Sequence, residues 1–357
     1  MHAQLADLGE AFKLKPPYSR CFLQVSVRRR RRTLTNVWRV GFVLIVRAPM
    51  RISLAGGGTD LAEYYQQHGG LVVSTAINKF FYAMLEVGGQ AEVQITSSDY
   101  GTFYQHHADQ PLFCEGDLAL PKAVLQQFGI RNGLRIFLAS EVPPGTGLGS
   151  SSAVAVTLVK ALSTLLRQRL TPAEVADLAC HVEIDKLGMP IGAQDQYASS
   201  FGGFNVIEFG ADGIVVRPLA VTPSTVRELE SRLLLFFTHS SRDSSDILRS
   251  QRDETARSHG PVVEALHSLK DLAGQTRLLL ERGDVDAVGK LMDWSWDFKK
   301  RLSSNVSSPQ IDGHYRAARE NGALGGKLTG AGGGGFLMVL SEHGAQRRVT
   351  EALEQRG

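Results

Sequence analysis

The chain has 357 residues, 43% of them hydrophobic, so it is long enough to bury a large core and to form two domains. Its formal net charge is +3, but residues 1–44 hold nine lysines and arginines against two acidic residues, so the remainder is net acidic. The apolar run at residues 40–46 is too short to span a bilayer, and the three cysteines lack metal-binding or CxxC spacing. These features argue against a membrane span, a disulfide-stapled domain and a cysteine zinc site, and we expect a cytoplasmic protein.

The first 44 residues contain five consecutive arginines, Arg28 to Arg32. Such a run could bind nucleic acid or serve as a targeting signal, or it could have no function. No signal-peptide apolar region with a small-residue cleavage site lies beside it. We therefore favour the absence of a function and expect no nucleic-acid partner and no membrane partner.

The next part of the chain is predicted to consist of strands, because it is rich in β-branched and aromatic residues broken by glycine or polar turns. These strand patterns cover residues 42–54, 71–87 and 91–96. The first runs into three glycines followed by Thr59 and Asp60. Such a loop suits a polyol ligand, since glycines permit close approach and an aspartate accepts hydrogen bonds from paired hydroxyls. The alternative is a turn after a strand, with Asp60 as a helix cap.

A strand pattern at residues 134–138 leads into a glycine- and serine-rich loop, residues 143–153, and a helix pattern at residues 151–166. Glycines let successive N–H groups converge on an anion, and the helix adds its terminal donors and dipole, so the loop is predicted to cradle phosphate. No lysine lies between Glu141 and Val159, which excludes a Walker A loop, and the Rossmann pattern fits only loosely. A flexible linker is disfavoured because the loop runs directly into an apolar helix.

Two carboxylates follow, Glu183 in a helix pattern at residues 172–187 and Asp195 in a polar and aromatic segment. Phosphoryl transfer from ATP needs a magnesium ligand and a group that orients or deprotonates the attacking hydroxyl, and two carboxylates can fill these roles. The alternatives are a solvated helix face for Glu183 and a turn position for Asp195. A hairpin pattern at residues 204–216 closes this half of the chain.

The polar, turn-rich segment 217–232 is the predicted domain boundary. Beyond it lie a strand pattern at residues 233–237, long helix patterns at residues 244–259, 262–281, 285–302 and 309–321, and a third glycine cluster at residues 325–335. The cluster ends in an apolar strand pattern at residues 336–340, which indicates a turn that contacts a ligand or the other domain. The second domain is therefore predicted to be α+β.

The three glycine motifs, in this order and spacing, resemble those of the GHMP small-molecule kinases over about residues 45–340. Segments 51–60, 194–205 and 240–245 look most like the bacterial D-glycero-D-manno-heptose 7-phosphate kinases. The resemblance implies an α+β, two-domain GHMP kinase fold. Residues 45–217 would form a domain like the second domain of ribosomal protein S5, and residues 218–357 a ferredoxin-like domain.

The resemblance also implies site residues, with ATP and Mg²⁺ as cofactors. Asp195 would face the attacking sugar hydroxyl, and Arg51 would lie near the transferred phosphoryl group. The implied ATP-binding residues are Pro143, Gly145, Gly147, Leu148, Gly149, Ser150, Ser151 and Ser152. The implied Mg²⁺ ligands are Ser150, Ser151 and Glu183. The implied substrate contacts are Gly57, Gly58, Thr59, Asp60, Gln194, Arg242, Gly332 and Gly333. Lys299, Lys300 and Arg301 are further candidates, beside Arg242, for binding a substrate phosphate, unless they are solvated helix charges.

The implied activity is ATP-dependent phosphorylation of the anomeric hydroxyl of a heptose 7-phosphate by a monomer or homodimer. A fucokinase is a rival, and so is a sugar-binding sensor that keeps the fold without turnover. Two departures from the family stand out. Related chains would begin near Ile45, so we expect residues 1–44 to be a disordered extension or the product of a start assigned too far upstream. The helix pattern at residues 346–355 ends the chain where a further strand is expected, which suggests truncation.

Overall fold

The computed structural model describes residues 24–30, 41–88, 92–239, 245–256 and 259–356. Its strands are β1 (Gln24–Arg30), β2 (Gly41–Ala55), β3 (Gly70–Val87), β4 (Glu92–Ser97), β5 (Thr102–His107), β6 (Leu134–Ser140), β7 (Phe204–Gly210), β8 (Gly213–Pro218), β9 (Leu233–Phe237), β10 (Ala323–Leu328) and β11 (Phe336–Ser341). Its helices are α1 (Ala62–His68), α2 (Ala119–Gln127), α3 (Ser150–Leu165), α4 (Pro172–Cys180), α5 (Gln194–Phe201), α6 (Pro223–Arg232), α7 (Ser245–Thr255), α8 (Pro261–Arg282), α9 (Val285–Lys300), α10 (Pro309–Glu320) and α11 (Gln346–Glu354). A π-helical turn, His181–Lys186, continues α4.

The first half of the chain is built on one sheet with the order β1-β2-β3-β6-β4-β5, to which β7 and β8 attach through β3. The long strand β3 pairs with β7 over residues 70–75 and with β6 over residues 81–87. Strand β6 leaves the sheet after Ser140, and the chain then crosses to β2, where the Arg51 N–H donates to the Leu148 carbonyl at 3.0 Å. This crossing brings the glycine- and serine-rich loop beside the middle of β2.

The second half contains an antiparallel sheet in the order β10-β11-β9, with helices packed around it. One hydrophobic core joins this sheet to the first half. Met50 and Ile52 of β2 belong to the same buried cluster as Met292 of α9 and Met338 of β11. Burial of apolar area drives such packing, so the two halves are held together rather than joined by a loose linker.

Part of the basic extension differs from the expectation. Residues 24–30, which include three of the five arginines, form β1 and pair antiparallel with residues 41–47 of β2. Backbone hydrogen bonding to a long neighbouring strand can recruit an edge strand regardless of its charge, and charged edge strands are common because they discourage further pairing. Residues 1–23 and 31–40 lie outside the described residues.

The segment 217–232, predicted to be turn-rich, is largely helical. Thr222 caps α6 by accepting from the Thr225 N–H, Pro223 occupies its first turn, and Val226 and Leu229 are buried. The Thr-Pro signal at the helix start was present in the sequence. Among the described helices, none combines the length and apolar character needed to cross a bilayer.

Candidate active site

A cleft of about 340 Å³ lies where the three glycine motifs meet, with walls from both halves of the chain. Its lining includes glycines of every motif and side chains of opposite charge. The residues that matter below are Arg51, Ser53, Gly57, Gly58, Asp60, Gly145, Gly147, Gly149, Ser150, Ser151, Ser152, Gln194, Asp195, Gln251, Ser295, Lys299, Lys327 and Gly332. Most of the predicted site residues are therefore brought together.

The phosphate loop, residues 143–153, turns through three glycines with φ of 73°, 77° and 76° before α3 begins. Only glycine adopts such angles readily, and a Cβ on Gly147 would lie 2.7 Å from the Thr329 carbonyl carbon. The N-terminus of α3 opens on the cleft, where its N–H groups and dipole favour an anion. The loop can thus hold phosphate as predicted.

Two residues of the phosphate loop lie away from the cleft lining. The Leu148 side chain is fully buried in the shared core, and its carbonyl accepts from the Arg51 N–H. Pro143 does not line the cleft, and its carbonyl accepts from the Thr146 hydroxyl at 3.0 Å. Both residues shape the loop through these backbone bonds, and their expected ATP contacts stay predictions.

Arg51 and Asp195 form a two-pronged ion pair across the cleft. The guanidinium Nε donates to Asp195 Oδ1 at 2.6 Å and Nη2 donates to Oδ2 at 2.5 Å, while Nη1 donates to the Gly147 carbonyl at 2.6 Å. Arg51 is 4% exposed, whereas the Asp195 side chain is 22% exposed. Helix α5 is fixed on β2 by the Ser199 hydroxyl, which donates to the Pro49 carbonyl at 2.8 Å. The arrangement ties one carboxylate rigidly to the phosphate loop and leaves it reachable from the cleft.

Asp60 lies at the end of the first glycine motif and is hydrogen-bonded to Gln194, the residue before Asp195. Its Oδ1 accepts from the Gly58 N–H and from Gln194 Nε2, both at 2.9 Å, and Oδ2 accepts from the Gln194 N–H at 3.2 Å. Burial, with a smaller effect of the Asp195 charge, raises the pKa of the Asp60 carboxyl. Asp60 is therefore held at the cleft wall as an acceptor, as expected for binding a ligand hydroxyl. It does not cap α1, which follows it in the chain, but it accepts from the first N–H of α5.

Thr59 is not brought to the cleft. Its side chain is fully buried. Its hydroxyl donates to the carbonyls of Gly56 (2.8 Å) and Leu71 (3.1 Å) and accepts from the Leu71 N–H at 3.0 Å. The expected sugar contact is corrected to a structural one, since the hydroxyl ties the motif to β3.

Replacing Thr59 by valine should lower the free energy of unfolding by about 1–3 kcal/mol, because the Leu71 N–H loses its partner. Urea denaturation measures the loss. Thr102→Val is the matched control, since among the described residues that hydroxyl forms only an exposed bond to the Tyr100 carbonyl. Unchanged stability with weakened sugar binding would instead restore Thr59 as a ligand contact.

Glu183 lies beneath the serines of the phosphate loop and is fully buried. Its Oε1 accepts from the hydroxyls of Ser151 (3.0 Å) and Ser152 (3.4 Å), and Oε2 accepts from Gln196 Nε2 at 2.7 Å. Burial raises the pKa of this carboxyl to about 7 despite these bonds. A solvated helix face is excluded, and the carboxylate has no cationic partner among the described residues.

A divalent cation fits this arrangement. Hydroxyl and carboxylate oxygens are the ligands that Mg²⁺ prefers, and a cation would stabilise the buried anionic form of Glu183. Ser151 contacts Glu183 directly, and Ser150, the other expected ligand, lines the cleft one residue earlier. The described residues contain no group of three or more histidine, cysteine or acidic side chains suited to a metal, so the serines would have to contribute.

The third motif contacts the phosphate loop. Thr329 Oγ donates to the Thr146 carbonyl at 2.9 Å, and a Cβ on Gly330 would lie 2.6 Å from Gly147 Cα. Gly332 lines the cleft, but the Gly333 N–H donates to the Val306 carbonyl at 2.9 Å and Gly333 is not part of the lining. Gly333 therefore has a structural bond within the turn, and its expected substrate contact stays a prediction.

Of the three basic candidates in the described part of the chain, Lys299 alone lines the cleft. Its Nζ donates to the carbonyls of Leu328 (2.8 Å) and Gly330 (2.6 Å). Lys300 pairs with Asp297 at 3.1 Å, Arg301 is exposed over the Phe298 ring, and neither belongs to the lining. These two are corrected to surface charges, while Arg242 lies outside the described residues.

Sequence reasoning missed Lys327, which lines the cleft as a second lysine beside Lys299. Burial, with a smaller effect of Arg51, lowers the pKa of its ammonium to about 7, and burial followed by Lys327 and Arg51 lowers the pKa of Lys299 well below its ordinary value. Arg51, Lys299 and Lys327 therefore place three positive charges in one region of the cleft. The carboxylate of Asp195 is already paired with Arg51. Buried cations of this kind call for an anionic ligand.

Reasoning from the sequence also missed Ser53, Gln251 and Ser295. Each lines the cleft and carries a buried side-chain atom without a hydrogen-bond partner in the described part of the chain. Isolated serines and glutamines carry no motif signal. The helical phase of Ser295, Lys299 and Leu302 in and after α9 could have placed them on one face.

Comparison with known proteins matches both halves of the chain to one family. The GHMP kinases N terminal domain matches residues 118–203, and the GHMP kinases C terminal domain matches residues 276–357. The D-glycero-alpha-D-manno-heptose 7-phosphate kinase of Campylobacter jejuni is 31% identical, over 86% of this chain and 92% of the relative. A mevalonate kinase of Pyrococcus horikoshii is 28% identical, over 88% of this chain and 93% of the relative.

The fold agrees with these matches. The crystal structure of a D-glycero-D-manno-heptose 1-phosphate kinase from Bacteriodes thetaiotaomicron superimposes with a TM-score of 0.72 at 30% identity, covering 88% of this chain and 92% of that one. The predicted α+β, two-domain GHMP kinase fold is confirmed. With the phosphate loop, the Arg51–Asp195 pair and these matches together, the chain belongs to the GHMP kinases and is a phosphotransferase that uses ATP.

Proposed function

We propose that this kinase transfers the γ-phosphoryl group of ATP to the anomeric C1 hydroxyl of D-glycero-D-manno-heptose 7-phosphate, giving the 1,7-bisphosphate for nucleotide-activated heptose and surface polysaccharide synthesis. The observation that carries the proposal is the Arg51–Asp195 pair, which joins a reachable carboxylate to the phosphate loop through the Gly147 carbonyl. The similarity to a heptose 7-phosphate kinase supports the choice of sugar.

In this account Asp195 accepts a hydrogen bond from the attacking hydroxyl and holds it in line with the phosphate loop. Both of its oxygens are already bonded to Arg51, so orientation is its main contribution, and a loose transition state demands little of a base. Arg51 is placed to neutralise charge on the transferred group. The phosphate loop and the α3 N-terminus bind the remaining phosphates through backbone N–H groups.

Ser150, Ser151 and Glu183 are the residues that would hold Mg²⁺. When bound, Mg²⁺ would supply charge neutralisation for the phosphates of ATP. The chain's own contribution is to hold Glu183 beneath the phosphate loop, with the hydroxyls of Ser151 and Ser152 directed toward it.

The two buried lysines fit a reaction between two anionic substrates. Lys299 and Lys327 interact electrostatically with Arg51, so their positive charges act on the part of the cleft where the phosphoryl group is transferred. A phosphorylated acceptor and ATP together bring several negative charges into this region. Their binding would restore the lysine charges that burial disfavours.

The plot of kcat/KM for MgATP against pH should be bell-shaped, with an acid limb and an alkaline limb that both lie near pH 7. Glu183 has to be ionised to bind a cation and titrates at about 7, so activity should fall below that pH. Lys327 has to be protonated to bind an anion and also titrates at about 7, so activity should fall above it. Steady-state rates from pH 5.5 to 9 measure both limbs.

Lys327→Arg should keep the acid limb and move the alkaline limb upward, because arginine stays charged over this range. Lys300→Arg, a surface change in α9, should leave both limbs in place. An alkaline limb that persists unchanged in Lys327→Arg would show that another group titrates there.

A substrate panel tests the proposed function. The purified protein, ATP and Mg²⁺ are combined in turn with heptose 7-phosphate, unphosphorylated heptose, fucose, galactose and mevalonate, and ADP release is measured. We expect the highest kcat/KM with heptose 7-phosphate. Preference for fucose would make the chain a fucokinase, and saturable sugar binding without ADP release from any member would make it a sensor.

A further inference from the structure

Four buried polar atoms without partners lie in the walls of the cleft. Among the described residues, Ser53 Oγ, Gln194 Oε1, Gln251 Nε2 and Ser295 Oγ are closed off from water and form no hydrogen bond. Leaving a buried donor or acceptor unpaired is destabilising, and native proteins contain few such atoms. Their concentration around one cleft therefore calls for an explanation outside the unliganded chain.

The backbone of the first motif brings three of these side chains together. A Cβ on Gly57 would lie 3.5 Å from Ser53 Oγ and 3.7 Å from Gln194 Nε2, and a Cβ on Gly58 would lie 2.7 Å from Gln251 Nε2. Asp60 belongs to the same group, since its Oδ1 accepts from the Gly58 N–H and from Gln194. Ser295 lines the same cleft from α9, one helical turn before Lys299.

The four unpaired atoms belong to uncharged side chains and include both hydrogen-bond donors and acceptors. Two hydroxyls can donate or accept, the Gln251 amide nitrogen donates, and the Gln194 amide oxygen accepts. A carboxylate ligand accepts only and would face Asp60 and the Gln194 oxygen. Sugar hydroxyls both donate and accept, so a polyol can satisfy the whole set.

We propose that Ser53, Gln251 and Ser295, together with Gln194, form a subsite that binds the hydroxyl groups of a polyol acceptor and rejects acceptors that present a carboxylate. The proposal rests on the kinase function above and names the side chains that would select polyhydroxylated acceptors. It assigns specificity to side chains outside the glycine motifs, from α7 and α9, as well as to the strand that precedes the first motif.

Ser295→Ala and Gln251→Met are the variants that test the subsite. Each should raise KM for the sugar phosphate by about tenfold, which is the effect of losing one ligand hydrogen bond, and should leave KM for ATP unchanged. The melting temperature of the unliganded protein should stay the same or rise, because an unpaired buried polar atom has been removed. A purely structural role predicts the opposite, a lower melting temperature with unchanged KM.

Ser74→Ala is the matched control, since the Ser74 hydroxyl is equally buried and unpaired but does not line the cleft. It should leave both KM values unchanged. The variants are assayed with whichever panel member the wild type uses best. An unchanged KM for heptose 7-phosphate in both variants overturns the subsite but not the proposed function.

If another sugar is preferred and its KM rises in the variants, the subsite stands and the heptose assignment falls. Preference for mevalonate, or the absence of binding of any polyol in a thermal-shift assay of the wild type, overturns both.

Discussion

Replacing Asp195 by asparagine should lower kcat by about 10² to 10⁴-fold while MgATP binding changes little. Asparagine keeps the volume but accepts only one of the two Arg51 hydrogen bonds and is neutral. The attacking hydroxyl then loses a charged acceptor, and Arg51 keeps only one of its two bonds to residue 195 besides its bond to the Gly147 carbonyl. Steady-state kinetics gives kcat, and calorimetric titration with a non-hydrolysable ATP analogue gives the affinity.

Asp185→Asn is the control for this change, because Asp185 lies ten residues away in the chain, is 66% exposed and pairs only with His181 among the described residues. Arg51→Met should be nearly as severe as Asp195→Asn. The double variant should be little worse than either, because the two side chains act as one unit. Near-normal turnover in Asp195→Asn, or fully additive losses, would contradict the assigned role.

Replacing Glu183 by glutamine should abolish most of the Mg²⁺-dependent turnover, because a bound cation would lose the carboxylate that Glu183 offers beneath the phosphate loop. We expect a loss of about 10²-fold or more, which corresponds to about 3 kcal/mol. Glutamine can keep the hydrogen bonds to Gln196 and Ser151, so the loop should stay in place. Mg²⁺ titration at fixed ATP measures the effect, and the exposed Glu115→Gln should behave as wild type.

The same variant has a stability signature that does not depend on activity. The folded pKa of Glu183, about 7, lies above the ordinary value of 4.5, so the folded protein without cations loses stability as pH rises from about 4.5 to about 7. The full effect is about 3 kcal/mol. Glu183→Gln should therefore be more stable than wild type at pH 8 and similar at pH 4.5. Equal stability at both pH values would contradict the buried, uncompensated carboxylate.

The chemistry of the site was more predictable than its fine geometry. Glycine spacing indicated a phosphate loop, and the resemblance to GHMP kinases pointed to Asp195, Arg51 and Glu183. Thr59 was misplaced because a motif shows which residues occur together but not which side chain faces inward. Its hydroxyl instead bonds the Gly56 carbonyl, just after β2, and the Leu71 N–H of β3.

The basic residues at the end of α9 show the same limit. Three consecutive residues turn about 100° apart on a helix, so Lys299 enters the cleft while Lys300 and Arg301 face solvent. The helical periodicity of α9 could have predicted which of these three basic residues faces the cleft. The missed helices α1, α2 and α5 are short. Short helices depend on tertiary contacts more than on local propensity, and α5 has such a contact in the Ser199 bond to β2.

The most direct test of the central claim is the identity of the product. The protein is incubated with ATP, Mg²⁺ and D-glycero-D-manno-heptose 7-phosphate, and the sugar product is examined by phosphorus-31 nuclear magnetic resonance. The account predicts two phosphate monoester signals of equal intensity, one of them coupled to the anomeric proton. A product phosphorylated at another hydroxyl, or unchanged sugar while a different acceptor is consumed, would contradict it.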